Sequence, residues 1–282
     1  MSLKDWQHRG TVKIVNPKFH RYAVLVAISS LVLVAIGAYI TSQVTGRPLA
    51  SRGILDGVVH KELAIAVGVL AFGFAVWQLV EPEGSFLVWA AVGFFGLEAW
   101  VGWLGGSPLL HASLAPMAFA IFVAIALVTS SGWNEAPVLL EDRAAPKLRL
   151  FAIATPPLML LQIMLGAAYR HKLIGLLPHI GGAMIVSLAI LVPAIVLVQR
   201  HPAHRKLRAA ATWLISILLA QVVLGITAFI IPLLKLSAAA VIAATASHVV
   251  VGSLALAANL VLAMQIQRHV RSASAVSVEK TD

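Results

Sequence analysis

The sequence predicts an all-α integral membrane protein: eight transmembrane helices arranged as two tandem, pseudo-symmetric four-helix bundles. Three observations carry that prediction. Of the 282 residues, 60% are hydrophobic and 11% charged, against about half and a quarter in a soluble domain. Lipid must therefore be the solvent for most of the chain. The apolar stretches are each near the length of about 20 residues that spans a bilayer. A short helical signature also recurs in the two halves.

The spans read as residues 22–44, 60–81, 84–104, 109–130, 148–168, 177–199, 208–232 and 239–266. The breaks between them carry turn chemistry: Thr45-Gly46-Arg47-Pro48, Glu81-Pro82-Glu83-Gly84 and Gly105-Gly106-Ser107-Pro108. This divides the chain into a tail (1–21), a first bundle (22–130), a linker (131–147), a second bundle (148–266) and a second tail (267–282). The long polar tail before a full first span reads as leading into a retained anchor, not a cleaved signal peptide.

Lys and Arg placement sets the orientation. Fifteen lie in the N-terminal tail, the loops after spans four and six, and the C-terminal tail; six lie in the remaining loops and span ends. Both termini and the linker are therefore expected in the cytoplasm, in the plasma membrane of a prokaryote. The same clustering accounts for the net charge of +10 without a nucleic-acid partner. The absence of cysteine excludes disulfides, iron–sulfur clusters and thiolate zinc sites.

The internal repeat is short but regular. Span three contains Glu98-x-x-x-Gly102, span five Gln162-x-x-x-Gly166 and span seven Gln221-x-x-x-Gly225; span one keeps the glycine, as Leu33-x-x-x-Gly37. Each even span carries a histidine near its outer end: His60, His111, His179 and His248. A small residue follows each by four positions: Ala64, Ala115, Ala183 and Gly252. Four helices per repeat is an even number, so the halves have parallel topology.

Histidine within a membrane segment is rare and faces the bundle interior. One alone reads equally well as a structural residue bonded to a neighbouring carbonyl. Four at repeat-equivalent positions, sharing one membrane level, point to ligands instead. Neutral imidazole is a common axial ligand of haem iron, and the small residue one turn on would let a flat macrocycle approach the helix. Each half offers two histidines and no cysteine, which argues against zinc or copper. His248 follows a longer apolar run, so it sits deeper than the others or its helix starts outside the membrane. His171 is expected at the interface. His8, His20, His201, His204 and His269, flanked by basic residues, are expected to be solvated.

Two carboxylates and several cations are further candidates. Glu98, inside span three, reads either as an interhelical hydrogen bond in place of the glutamines or as a proton-handling group near His60 and His111. Asp56, four residues before His60, shares its helical face if the helix extends that far and would orient the imidazole or face water. Arg47, Arg52, Lys61, Arg170 and Lys172 lie at the level where haem propionates need cations and where headgroups are anchored.

The segment Gln162-Ile163-Met164-Leu165-Gly166-Ala167-Ala168-Tyr169-Arg170-His171, followed by Leu176-Leu177-Pro178-His179, resembles the haem A synthase family of cytochrome oxidase assembly proteins. So do His248-x-x-x-Gly252 and the two-half, eight-helix layout, across nearly the whole chain. The resemblance implies a haem b cofactor held by His179 and His248 in the C-terminal half, with Arg170 beside it. It implies a substrate site at His60 and His111, where haem O is oxidised to haem A by successive hydroxylations of a methyl to a formyl. Partners implied are an electron donor, a haem O synthase and the heme–copper oxidase that receives the product. The chain departs from the family pattern at two places. Gly57 stands where the family has a glutamate, leaving Asp56 and Glu98 as the candidate catalytic carboxylates, and residues 45–59 lack the cysteine pair of many members. A non-catalytic diheme b-type cytochrome and a haem-free scaffold are the alternative readings on the same fold.

Overall fold

The computed structural model describes residues 16–44, 54–80, 86–142 and 147–272. Eight long helices run through them: α1 (Pro17–Val44), α2 (Ile54–Val80), α3 (Phe86–Trp103), α4 (Pro108–Val128), α5 (Leu148–Arg170), α6 (Leu176–Arg200), α7 (Arg205–Leu233) and α8 (Ala238–His269). All eight are long and apolar enough to cross a membrane, so the chain is an all-α multi-pass membrane protein.

The helices start and stop on local chemistry. Ser107 and Ser237 cap α4 and α8, accepting from the amides of Leu110 and Ala240, and Pro108 fills the first helical position, where no amide is needed. The odd helices α3, α5 and α7 end alike, on a left-handed residue: Gly105 (φ 65), Lys172 (φ 60) and Lys235 (φ 52). Behind each, an amide turns back to the last turn: Gly106 to Val101, Leu173 to Ala168 and Leu236 to Ile231. Carbonyls that the helix end would orphan are thereby satisfied.

Neighbouring helices form two closed rings. In the first, α1 packs on α2, α2 on α3, α3 on α4 and α4 on α1; in the second, α5 to α8 repeat the circuit. The rings meet where α8 packs against α1 and α4, and α4 against α5. One buried cluster lies within α1–α4, around Val26, Phe74, Phe95 and Phe122. The other lies mainly within α5–α8, around Ile190, Leu197, Leu214 and Ile266, with Phe119 and Ala120 of α4 joining it. α4 thus feeds both cores. The outward faces are apolar and exposed, as at Phe72, Leu79, Met184 and Trp213, which suits a lipid solvent.

The helices overrun the apolar stretches that announce them. α8 has 32 residues, about 48 Å at the helical rise, against a hydrocarbon core of about 30 Å. α8 begins at Ala238, ten residues before His248, and α7 continues to Leu233. That pair of helices therefore projects well past the histidine level, and His248 meets His179 there.

The segment after α4, expected as a plain linker, is structured. A single turn at Ser131–Asn134 follows α4, and strand β1 (Leu140–Asp142) pairs in parallel with β2 (Val270–Ser272), Leu140 opposite Val270. Arg149 donates to the Val270 carbonyl at 2.8 Å, and Arg268 lies over the Trp133 ring at 4.6 Å. The segment is thus pinned to the ends of α7 and α8.

Candidate functional site

The four histidines repay a comparison one at a time, because each is held in the same way. The glycine of each odd helix faces the histidine of the next even helix. A Cβ placed on Gly37 would come 3.1 Å from Cε1 of His60; on Gly102, 2.8 Å from His111; on Gly166, 2.9 Å from His179; on Gly225, 3.0 Å from His248. At Gly102 and Gly166 the separation is too short for a real side chain, and at Gly37 and Gly225 it is tight enough that the ring would have to give, so glycine lets the Cε1 edge of each ring approach the neighbouring backbone.

Seated this way, the rings form two pairs. The centres of His60 and His111 are 6.2 Å apart with planes at 89°; those of His179 and His248 are 6.3 Å apart, again at 89°. Two pairs built from different residues thus share one geometry. A metal bound at about 2 Å to a nitrogen of each ring, with each nitrogen about 1 Å from its ring centre, separates the centres by roughly 6 Å. The donor set also fits haem: each half offers one imidazole nitrogen from each of two rings, and the remaining positions of the metal would be left to the macrocycle. Among the described residues no three His, Asp or Glu side chains converge as a bare ion would require.

The residue four before each glycine supports the ring. Gln162 Nε2 lies 2.9 Å from His179 Nδ1 and donates to the His179 carbonyl at 2.9 Å. Gln221 Nε2 lies 3.4 Å from His248 Nε2. Glu98, only 5% exposed, places Oε1 3.1 Å from His111 Nδ1. Leu33 holds the fourth such position; Nδ1 of His60 and Nδ1 of His248 are both buried with no hydrogen-bond partner. Such outer partners fix ring orientation and ligand basicity.

The small residue after His248 also accommodates a neighbouring side chain. Gly252 receives Gln221, whose Nε2 would lie 3.0 Å from a Cβ there. The equivalent place in α6 is Gly182, not Ala183, and Gln162 fills it. These glycines make room for the supporting amide.

Arg170, at the end of α5, crosses to the other ring of helices. Its Nη2 donates to Ser42 Oγ at 2.7 Å and to the Ala38 carbonyl at 3.1 Å, both on α1. Its Nε is buried and unpartnered. Tyr169 stacks parallel to His179 at 6.4 Å. His171 caps α5; partial burial, and then the Arg170 charge, hold its pKa below the usual histidine value.

Of the remaining candidates, Lys61 sits 5.7 Å above the Trp103 ring. α2 does extend past Asp56, but the Asp56 side chain lies outside the described residues, as do Arg47 and Arg52. Gly57 is exposed, with open space where a Cβ would stand.

On the opposite face, two of the histidines expected to be solvated are buried. His204 Nε2 and His269 Nδ1 both donate to the Val138 carbonyl, at 3.1 and 3.0 Å. Their rings lie 4.7 Å apart, and His204 Nδ1 accepts from the Leu207 amide to cap α7. Their basic neighbours point elsewhere: Lys206 to the Gly132 carbonyl and to Glu135, Arg268 to the Glu135 carbonyl. The Lys206 hydrogen bond holds the exposed Glu135 carboxyl below its usual range. His20 is also engaged, with Nδ1 3.3 Å from Thr129 Oγ1. Flanking charge was a poor guide here, because the structured segment after α4 covers these residues. His8 lies outside the described residues.

No family model matches the chain, and no curated protein matches it.

Proposed function

We propose that the protein is a membrane haem-binding oxidoreductase of the haem A synthase type, oxidising a methyl of haem O to the formyl of haem A for a heme–copper oxidase. The observation that carries this reading is the pair of orthogonal imidazole pairs, 6.2 and 6.3 Å between centres, each ring seated on a glycine of the preceding helix. In this reading His179 and His248 hold a resident haem b, with Arg170 at the level of its propionates. When bound, that group supplies one-electron transfer. His60 and His111 flank the substrate, haem O. Two hydroxylations of one methyl carbon would each take one oxygen atom from dioxygen, the second atom leaving as water with two protons and two electrons from the membrane electron donor, and the resulting geminal diol loses water to the aldehyde. Glu98 holds His111 through Nδ1 at 3.1 Å and is the first candidate for proton handling; Asp56 is the second.

The second reading is a diheme b-type cytochrome without catalysis. Gly57 favours it, since the family carboxylate is absent and the space beside it is open.

The test is purification from cells making haem O, with the bound haems identified by spectrum and chromatography. Conversion of haem O to haem A is expected. Haem b alone, without turnover, selects the cytochrome, and no haem overturns both. Glu98→Gln is expected to slow conversion; unchanged conversion removes Glu98 from the chemistry.

A further inference from the structure

The repeat of the two halves is broken in one layer of the core, about three turns from the seats. In the N-terminal ring of helices that layer is Val26, Phe74, Ala91 and Phe122. None of the four is exposed beyond 2%, and the Phe74 and Phe122 rings stack at 6.0 Å. Counted from the corresponding glycines and histidines, the C-terminal ring has Thr155, Pro193, Leu214 and Asn259 in the same places. Two phenylalanines are exchanged for a proline and an asparagine. A cavity with room for one water molecule lies there, lined by residues of α5, α6, α7 and α8. Its polar wall is Thr155 and Asn259, 4% and 2% exposed. The Thr155 hydroxyl lies 3.0 Å from Asn259 Oδ1 and 2.9 Å from the Phe151 carbonyl, and its one proton serves both. Asn259 Nδ2 is buried and unpartnered. Pro156, inside α5, has no amide to give the carbonyl of Ala152, another lining residue.

We infer that the C-terminal half binds an internal water in this cavity, accepting from Asn259 Nδ2 and donating to the Ala152 carbonyl, and that the N-terminal half is dry at the same level. An amide N–H buried among apolar side chains is costly until it finds an acceptor, and the protein offers this one none. Water is the smallest ligand that both accepts from an amide and donates to a carbonyl. Waters of this kind also satisfy the carbonyls that prolines free in membrane helices. A bare cation is the wrong ligand, because the free group is a donor. In the N-terminal half the stacked phenylalanines present no polar partner. Thr155 and Gln162 stand seven residues apart on α5, about 10 Å. The water therefore places an exchangeable proton two turns from the amide that supports His179. The site does not depend on whether the histidines hold haem.

The test is hydroxyl-radical footprinting of the full chain in lipid nanodiscs by millisecond X-ray radiolysis, with modified residues mapped by mass spectrometry. Radicals formed from a bound water modify adjacent side chains that bulk solvent does not reach. Pro193, Leu214 and Leu262 line the cavity and are buried; they are expected to be oxidised. Phe74 and Phe122 are the internal control. Aromatic rings react faster with hydroxyl radical than these aliphatic side chains, yet both are expected to stay unmodified. Asn259→Leu removes the donor at nearly constant volume and is expected to abolish the labelling of all three. The wild-type contrast between the halves keeps the inference testable if that variant does not fold. Unmodified Pro193, Leu214 and Leu262 in the wild type overturn the inference, because the cavity is then dry. Equal modification of Phe74 and Phe122 overturns it too, since water then reaches both cores. Labelling that survives Asn259→Leu shows that Asn259 does not hold the water, and is the third overturning result.

Discussion

Arg170 of α5 donates to Ser42 of α1 at 2.7 Å, so a guanidinium from the C-terminal ring of helices is tied to the helix that opens the N-terminal one. The bond is charge-assisted and largely shielded from water, and the same nitrogen also reaches the Ala38 carbonyl. Arg170→Ala is expected to lower stability by about 1–3 kcal/mol, read as a lower unfolding temperature in detergent. Ser42→Ala should cost about 0.5–1.5 kcal/mol, and the double variant less than the sum of the two. Additive losses would show that the contact does not couple the rings. Arg170→Lys should not restore the wild-type value, because an ammonium lacks the planar fork.

The glycine seats differ sharply from other glycines in what they tolerate. Gly166→Ala and Gly225→Ala each bring a methyl to about 3 Å from an imidazole carbon, so the ring or the helix must move. Each is expected to cost about 1–3 kcal/mol and, under the proposed haem-binding function, to lower haem per chain. Gly57→Ala meets nothing and should be neutral or stabilising by up to about 1 kcal/mol through helix propensity. Equal haem loss in all three would refute the seating argument.

On the opposite face, His204 both caps α7 and joins His269 on the Val138 carbonyl. His204→Ala removes a cap worth about 1 kcal/mol and one of the two histidine bonds to the Val138 carbonyl. Faster proteolysis within that segment is expected, with haem content unchanged. An unchanged cleavage rate would show that β1, β2 and Arg149 hold the segment without the histidine.

Lys172 and Lys235 occupy left-handed positions at φ 60 and 52, a conformation that costs a non-glycine residue about 1 kcal/mol. Lys172→Gly and Lys235→Gly should each raise stability by up to about 1 kcal/mol, since the equivalent place after α3 already holds Gly105. Thermal unfolding of the two variants checks it; destabilisation by either would mean that the lysine side chain itself anchors the turn.

Eight helices were legible because the signal that marks them is bulk apolarity, which survives any detail of packing. Their ends were less so: α1 starts at Pro17 and α8 runs to His269, since flanking polar residues continue a helix beyond the hydrocarbon when no breaker stands there. Gln162-x-x-x-Gly166 was visible as a repeat, yet its use was not. That the glycine seats the ring of another helix, while Gly182 houses the glutamine, depends on which faces meet, and spacing along one helix does not determine that. His204 and His269 misled for a related reason. Basic neighbours signal water only when no other part of the chain folds over them, and the parallel pairing of β1 with β2 joins residues far apart in sequence.

The seats also say something about the size of the repeating unit. Gly37 with His60, Gly102 with His111, Gly166 with His179 and Gly225 with His248 each need only one helix and its successor. The elementary module is therefore a pair of helices, used four times, and a two-imidazole centre is the product of joining two modules. Fusion frees each copy to vary alone, which a homo-oligomer forbids, and Leu33 beside Glu98 is the kind of asymmetry that only a fused chain can encode.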